Sequence, residues 1–180
     1  DVPTAEFVRG KRVYAGDRGS TEWLLAREFL AFARMSLPSA SHAGDVIPTD
    51  YGRAELIDKA RAILQADGAK RDALIAELPD CLLVLDTMPS TVVQLLLEAG
   101  HYQIMPMPAT RAFLLDNLQD SYARKTVVER EFLERTVIPA SSYFATRGYP
   151  ANDCETVGVR LLVVARKDVP ARAVRPLMMT

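Results

Sequence analysis

The chain has 180 residues, 49% of them hydrophobic and 25% charged, so it is long enough to bury a core and its composition is that of a globular protein. Its 22 lysines and arginines are balanced by 23 aspartates and glutamates, which argues against nucleic acid as a partner, because phosphate binding needs a concentrated basic surface. The sequence contains no apolar run of the roughly 20 residues that a membrane span needs, and two cysteines, Cys81 and Cys154, are too few for a disulfide framework, so we expect both to be packed thiols.

The predicted elements alternate short strands with helices, which is typical of an α/β sheet domain. A strand over residues 11–15 runs into a glycine-bracketed turn at 16–19 and then into a helix over 21–34, whose apolar residues recur at helical spacing. Residues 36–48, rich in serine, proline, alanine and glycine, are predicted to form a loop.

Further helices and strands follow in the same alternation. The predicted helices cover residues 51–66, 69–78, 91–99, 109–118 and 127–135, with a last helix after Pro170. The predicted strands cover residues 81–85, 103–105 and 156–165. The first of these three is continuously apolar, so we expect a central strand that is buried on both faces.

The turn before the first helix is a candidate anion site. A helix start leaves backbone N–H groups unpaired and carries a partial positive charge, so a tight glycine turn before it can cradle an anion. Gly19 supplies the turn, Arg18 a cation, and Ser20 and Thr21 hydroxyl donors. The alternative is an ordinary strand-to-helix turn with Ser20 as the N-cap.

A second candidate site follows the strand at 81–85. Asp86 opens this turn, and in open α/β sheets ligands bind at the carboxyl ends of the strands, where such turns converge. The residues that we expect to contact a ligand here are Thr87, Met88, Pro89 and Ser90. A simple capped turn is the alternative.

Catalytic and metal-binding patterns are missing from the sequence. The two histidines, His42 and His101, lie far apart, and no G-x-S-x-G or H-E-x-x-H motif is present. We therefore expect a protein that is not an enzyme, with no catalytic residue, no metal site and no cofactor. Tyr143 and Trp23 could each line a cleft or pack in the core.

The order of several short motifs resembles the TAXI-type solute receptors of tripartite ATP-independent periplasmic (TRAP) transporters. The resemblance covers most of the chain. Its motifs are Gly10-Lys11-Arg12-Val13, Gly16-x-x-Gly19-Ser20, Pro89-Ser90, Ile138-Pro139-Ala140-x-x-Tyr143, Thr156-Val157-Gly158-Val159 and Arg166-x-Asp168.

The resemblance implies a type II periplasmic-binding-protein fold, in which a mixed sheet is flanked by helices. Residues 1–138 would form the second lobe of a two-lobed protein, and residues 139–180 would return to the first lobe, whose N-terminal part we expect to lie outside this sequence. It also implies an extracytoplasmic, periplasmic receptor that captures a small anionic ligand, such as a carboxylate, and passes it to membrane transporter subunits. The ligand would contact residues 18–21, residues 87–90 and Tyr143.

Two residues depart from the family pattern. The family reads G-x-x-G-S-G-T, whereas here Thr21 replaces the third glycine and Glu22 replaces the threonine. A carboxylate in the first helical turn competes with an anionic ligand for the same donors, and Arg18 could compensate. The alternative hypothesis is a membrane-anchored sensory or scaffold domain that keeps the fold without a role in transport.

Overall fold

A computed structural model describes residues 5–39, 42–99, 102–115 and 133–159, and all structural statements below concern these residues. They form a mixed α/β structure, in agreement with the fold class predicted from the alternating pattern. The cysteines are both unbridged thiols, as expected, with Cys154 buried and Cys81 partly so.

A small parallel sheet organises most of these residues. Strand β1 (Arg12–Tyr14) lies in the middle, with β2 (Ile47–Pro48) on one side and β3 (Cys81–Leu82) on the other. Val13 is paired with a residue of each neighbouring strand, with Pro48 in β2 and Cys81 in β3. All three strands therefore end at the same edge of the sheet.

Four helices follow the strands in the order that the sequence predicts. Helix α1 (Thr21–Phe32) follows β1, α2 (Arg53–Gln65) and α3 (Gly68–Ala76) follow β2, and α4 (Thr91–Glu98) follows β3. A further helical segment covers residues 110–115. Its Phe113 packs edge-on against Phe29 and Phe32 of α1, with ring centroids 5.9 and 5.4 Å away.

The two faces of the sheet are covered by different helices. Val13 points to one face, into a cluster with Leu30 of α1. Tyr14 points to the other face, into a cluster with Leu56 of α2 and Leu96 of α4. Neighbouring residues of a strand point to opposite faces, so the core is a sheet between two helical layers, as parallel sheets require.

An antiparallel pair of strands forms the last described part of the chain. Strand β4 (Leu133–Ile138) pairs along its full length with β5 (Cys154–Val159). The pair joins the rest of the molecule through backbone contacts, such as Met107 N–H to Glu155 O at 2.8 Å. The two strands lie on either side of the lobe boundary expected at residue 138, since Ile138, the last residue of β4, is paired with Cys154 of β5.

Four details of the predicted secondary structure are wrong. Residues 47–48 form a strand and not a loop, and residues 103–105 form no strand. Residues 133–135 belong to β4 and not to a helix, and β3 is a two-residue edge strand of the described sheet, so it is not the central one.

Several predictions fall outside the described residues. These are the end of the helix at 109–118, the start of the helix at 127–135, the end of the strand at 156–165, the helix after Pro170, and Arg166 and Asp168 of the family motifs. In the described part of the chain, no helix is both long and apolar enough to cross a membrane.

Candidate functional site at the carboxyl edge of the sheet

The carboxyl edge of the parallel sheet gathers three helix starts. Each of the three strands is followed by a helix whose first residue is Thr21, Arg53 or Thr91. Parallel strands followed by helices bring the positive ends of the helix dipoles to the same edge. Both sequence-predicted turns, at residues 16–21 and 86–90, lie here.

At the start of α1, Ser20 is the N-cap. Its hydroxyl oxygen accepts a hydrogen bond from Trp23 N–H at 3.1 Å, which satisfies one of the unpaired amides of the first turn. Gly19 has a φ of 85° and is exposed, as is Thr21. The Arg18 guanidinium stacks over the half-buried Trp23 ring, 5.7 Å from its centroid. The Ser20 oxygen therefore serves as the cap of an ordinary strand-to-helix turn, which was the alternative prediction for this residue.

Glu22 is the buried centre of the site. Only 8% of this residue is exposed. One carboxylate oxygen accepts from the Tyr14 hydroxyl at 3.1 Å, and the other accepts from Leu85 N–H at 2.8 Å. Burial, with the charge and hydrogen bond of Glu22 adding to it, raises the pKa of the Tyr14 phenol, so Tyr14 stays a neutral donor at neutral pH.

Arg53 connects the starts of all three helices. As the first residue of α2, it points one guanidinium nitrogen at Leu85 O (3.2 Å) and within 3.9 Å of Glu22 Oε1. Its other terminal nitrogen pairs with Asp86 Oδ2. Two carboxylates from separate turns therefore share one cation, and its charge offsets part of the cost of burying Glu22.

The turn at residues 86–90 is held by Asp86. Its carboxylate accepts from the Ser90 hydroxyl at 2.6 Å and from Thr87 N–H at 2.8 Å. Burial acts to raise the pKa of Asp86, but these hydrogen bonds and the Arg53 charge outweigh it, so the pKa is lowered. Ser90 is buried and caps α4 by accepting from Val93 N–H at 3.1 Å.

The remaining predicted ligand residues of this turn face solvent. Thr87, Met88 and Pro89 are all exposed, and Met88 keeps 45% of its surface accessible. The peptide between Met88 and Pro89 is cis. The turn thus presents a small apolar tip above a polar, well-bonded base.

Tyr143 lies beside the same turn. Its hydroxyl accepts a hydrogen bond from Ser90 N–H at 3.3 Å, which joins the segment after β4 to the start of α4. The structure therefore brings Tyr143 to the 86–90 turn, and brings that turn to the start of α1 through Glu22 and Leu85. Arg18, in the turn before α1, stacks on Trp23 of that helix.

Two important residues of this site were not recognised in the sequence. Arg53 and Tyr14 carry the network, yet neither belongs to a motif. A signal existed for Arg53, because it opens a helix directly after a strand of the parallel sheet. The sequence predicts a loop over β2, so it does not indicate that the carboxyl end of this strand lies beside the other two.

A cavity of ≈ 260 Å³ lies elsewhere, at the β2 edge of the sheet. Its lining includes Arg12, Pro48, Tyr51 and Pro79, and none of the residues predicted to bind a ligand. The Tyr51 hydroxyl is buried without a hydrogen-bond partner among the described residues, and burial raises its pKa. Pro48 lacks an N–H group, which protects this edge against pairing with another strand.

Groups that could hold a metal ion are not found within the described ranges, where no three His, Cys, Asp or Glu side chains cluster suitably. His42 is exposed, with Nδ1 accepting from Gly44 N–H at 2.6 Å, and His101 lies outside the described residues.

Comparisons with known proteins leave the site to be interpreted from its own chemistry. No protein-family model, no curated protein and no solved structure matches the chain.

Proposed function

We propose that the chain forms one wall of an extracytoplasmic solute-binding receptor of the TAXI type, with a lobe of the type II periplasmic-binding-protein fold. The protein would capture a small acidic solute, without catalysing a reaction on it, and deliver the solute to membrane transporter subunits. In this proposal residues 1–138 form the second lobe and residues 139–180 return to the first.

One observation carries the proposal. The segments that the resemblance implies as ligand-binding, at residues 18–21, at 87–90 and at Tyr143, adjoin one another at the carboxyl edge of a parallel sheet. They come from distant parts of the sequence, and ligands of open α/β proteins bind at this edge. Contacts that the solute makes with both lobes would favour the closed receptor, in which the other lobe covers these segments.

The exposed groups of the wall decide where an acidic solute would bind. Arg18 offers a guanidinium, Gly19 and Thr21 offer exposed backbone and hydroxyl groups, and Met88 offers apolar contact. Ser20 and Ser90 use their hydroxyl oxygens as caps; the Ser20 hydroxyl can still donate its hydrogen to a solute, whereas the Ser90 hydroxyl donates to Asp86. We therefore assign the solute carboxylate to Arg18.

Isothermal titration calorimetry tests the proposal on the full-length gene product, with a panel of small carboxylates. We expect one of them to bind, and Arg18→Ala to weaken its affinity about 10–100-fold, because a hydrogen bond to a charged group is lost. Arg27→Ala is the matched control, since Arg27 is an exposed arginine of α1, the helix that follows the Arg18 turn, and pairs with Glu28. Binding that is absent throughout the panel, or equal losses from both substitutions, would contradict the proposal.

A second candidate is a membrane-anchored sensory or scaffold domain with the same fold and no transport role. The observation that favours it is the saturation of the site by internal partners, since Glu22, Asp86 and Arg53 bind one another and the nearby backbone. A scaffold needs such a network only for rigidity. Failure of every solute to bind, together with a membrane anchor in the full-length gene product, would favour this candidate.

A further inference from the structure

Glu22 lies where the anion of a helix-start binding site would lie. It belongs to the first turn of α1, where the helix dipole favours negative charge. Its carboxylate is enclosed by the end of β1, by the chain after β3 and by the start of α2, and it receives the Leu85 N–H and Tyr14 hydroxyl donors. These are the kinds of donor that hold a bound carboxylate.

Gly16 provides the room for this side chain. Its φ is 82°, and a Cβ atom added to it would lie 2.6 Å from Glu22 Oε2 and 2.7 Å from Cγ. Such distances exclude any side chain at position 16 unless Glu22 moves. The backbone at the end of β1 is thus fitted to the Glu22 side chain, from Cβ to the carboxylate.

We propose that Glu22 is a built-in occupant of this anion position, which the protein keeps closed to carboxylates from solution. The carboxylate of the chain takes the donors that a solute would otherwise use, and it ties the turn after β3 to the start of α1 while doing so. Glu22 is then a specificity-determining residue: an acidic solute can meet Arg18 at the surface but not the Leu85 N–H that Glu22 already engages.

The proposal predicts that removing the Glu22 carboxylate opens its position to a carboxylate from solution. Glu22→Ala deletes a CH₂–COO⁻ fragment whose heavy atoms are those of acetate. The substitution leaves the Leu85 and Tyr14 donors without their acceptor, which lowers the melting temperature. Acetate that enters the vacated position restores their partner and stabilises the folded state by mass action.

The test measures melting temperatures of the full-length gene product with and without about 100 mM sodium acetate, against sodium chloride at equal ionic strength. For a site with a dissociation constant of about 10 mM, acetate should raise the melting temperature of Glu22→Ala by on the order of 3 °C. Glu55→Ala is the matched control, because Glu55 is also in a first helical turn at this edge but its side chain is 58% exposed. Neither Glu55→Ala nor the unsubstituted protein should respond.

Two results would overturn the proposal. The first is a folded Glu22→Ala protein that responds to acetate no more than Glu55→Ala does. The second needs no variant: in the unsubstituted protein, a saturable shift of the Leu85 amide resonance on acetate titration would mean that the position is open. If Glu22→Ala does not fold alone, recovery of its circular dichroism signal in acetate supports the proposal, and the amide titration remains decisive against it.

The inference rests on the proposed function only in what it says about solute choice. If calorimetry finds no solute for the unsubstituted protein but acetate rescues Glu22→Ala, the receptor proposal fails while the built-in occupant stands. If a carboxylate binds through Arg18 and acetate gives no rescue, the opposite holds.

Discussion

Gly16→Ala tests how tightly the Glu22 side chain fits against the end of β1. The methyl group would lie 2.6 Å from Glu22 Oε2 and 2.8 Å from Cβ, so the glutamate or the turn must shift. Gly19→Ala is the matched control. Gly19 has nearly the same positive φ, 85° against 82°, but a Cβ there meets nothing within 4 Å.

The expected cost follows from separating two contributions. Strain from placing alanine at positive φ costs about 1–2 kcal/mol at either position, and the reduced entropy of the unfolded chain returns about 0.4–1 kcal/mol. Only Gly16→Ala adds overpacking, which costs about 1–3 kcal/mol. We therefore expect Gly16→Ala to lower the free energy of unfolding by about 2 kcal/mol more than Gly19→Ala.

Urea denaturation of both variants measures this difference. Repeating the pair in a Glu22→Ala background should remove most of it, since the methyl group then has space. Equal costs at the two glycines, or a difference that persists without the glutamate, would refute the reasoning, because the extra cost would not come from contact with Glu22.

Three further predictions concern the same network. Tyr14→Phe should cost about 1–2 kcal/mol, as a hydrogen bond to a charged acceptor is lost, and a double-mutant cycle with Glu22→Gln should show coupling; Tyr102→Phe, which loses a bond to Pro79 O, should be additive with Glu22→Gln. Burial raises the pKa of Tyr14 above its ordinary 10.0, so above pH 10.0 the folded state keeps a proton that the unfolded chain loses. The free energy of unfolding should therefore fall above pH 10.0, and the fall should be smaller in Tyr14→Phe by about 1.4 kcal/mol per pH unit. The lowered pKa of Asp86 contributes stability that is present above the ordinary value of 3.8 and is lost as pH falls. Ser90→Ala removes a hydrogen bond to Asp86, so it should reduce the drop in the free energy of unfolding between about pH 6 and about pH 3, measured by urea titration.

Local pattern was enough to predict helices α1 to α4 and strand β1. Helices α1, α2 and α4 begin within two residues of their predicted starts, because capping residues and apolar spacing are local signals. The two turns of the candidate site were also predicted in place, since a glycine or an Asp-to-Ser segment before a helix is visible in the sequence alone.

The errors arose where distant pairing decides the structure. Strand β2 has two residues, one of them Pro48, and is recognised only by its pairing with β1. The mixed charges of residues 124–135 are typical of an exposed helix with pairs three and four apart, but Arg135 pairs with Glu155 across the strands at 2.8 Å. Residues 103–105 look like a strand, yet Ile104 N–H donates to the Tyr149 hydroxyl instead of to a neighbouring strand.

The two arginines at the carboxyl edge have different tasks, and this difference bears on which candidate function holds. Arg53 is committed to Leu85 O and Asp86, so its charge is balanced within the chain and removing it would weaken the fold before it weakened any binding. Arg18 lies at the surface against an aromatic ring, an arrangement that fixes its orientation without consuming its hydrogen-bond donors. A scaffold has no need of an oriented surface arginine, whereas a receptor whose inner anion position is filled by its own glutamate needs a cation outside it. The contrast between the two arginines therefore favours the proposed receptor, in which an acidic group would be recognised by Arg18 at the rim of the site.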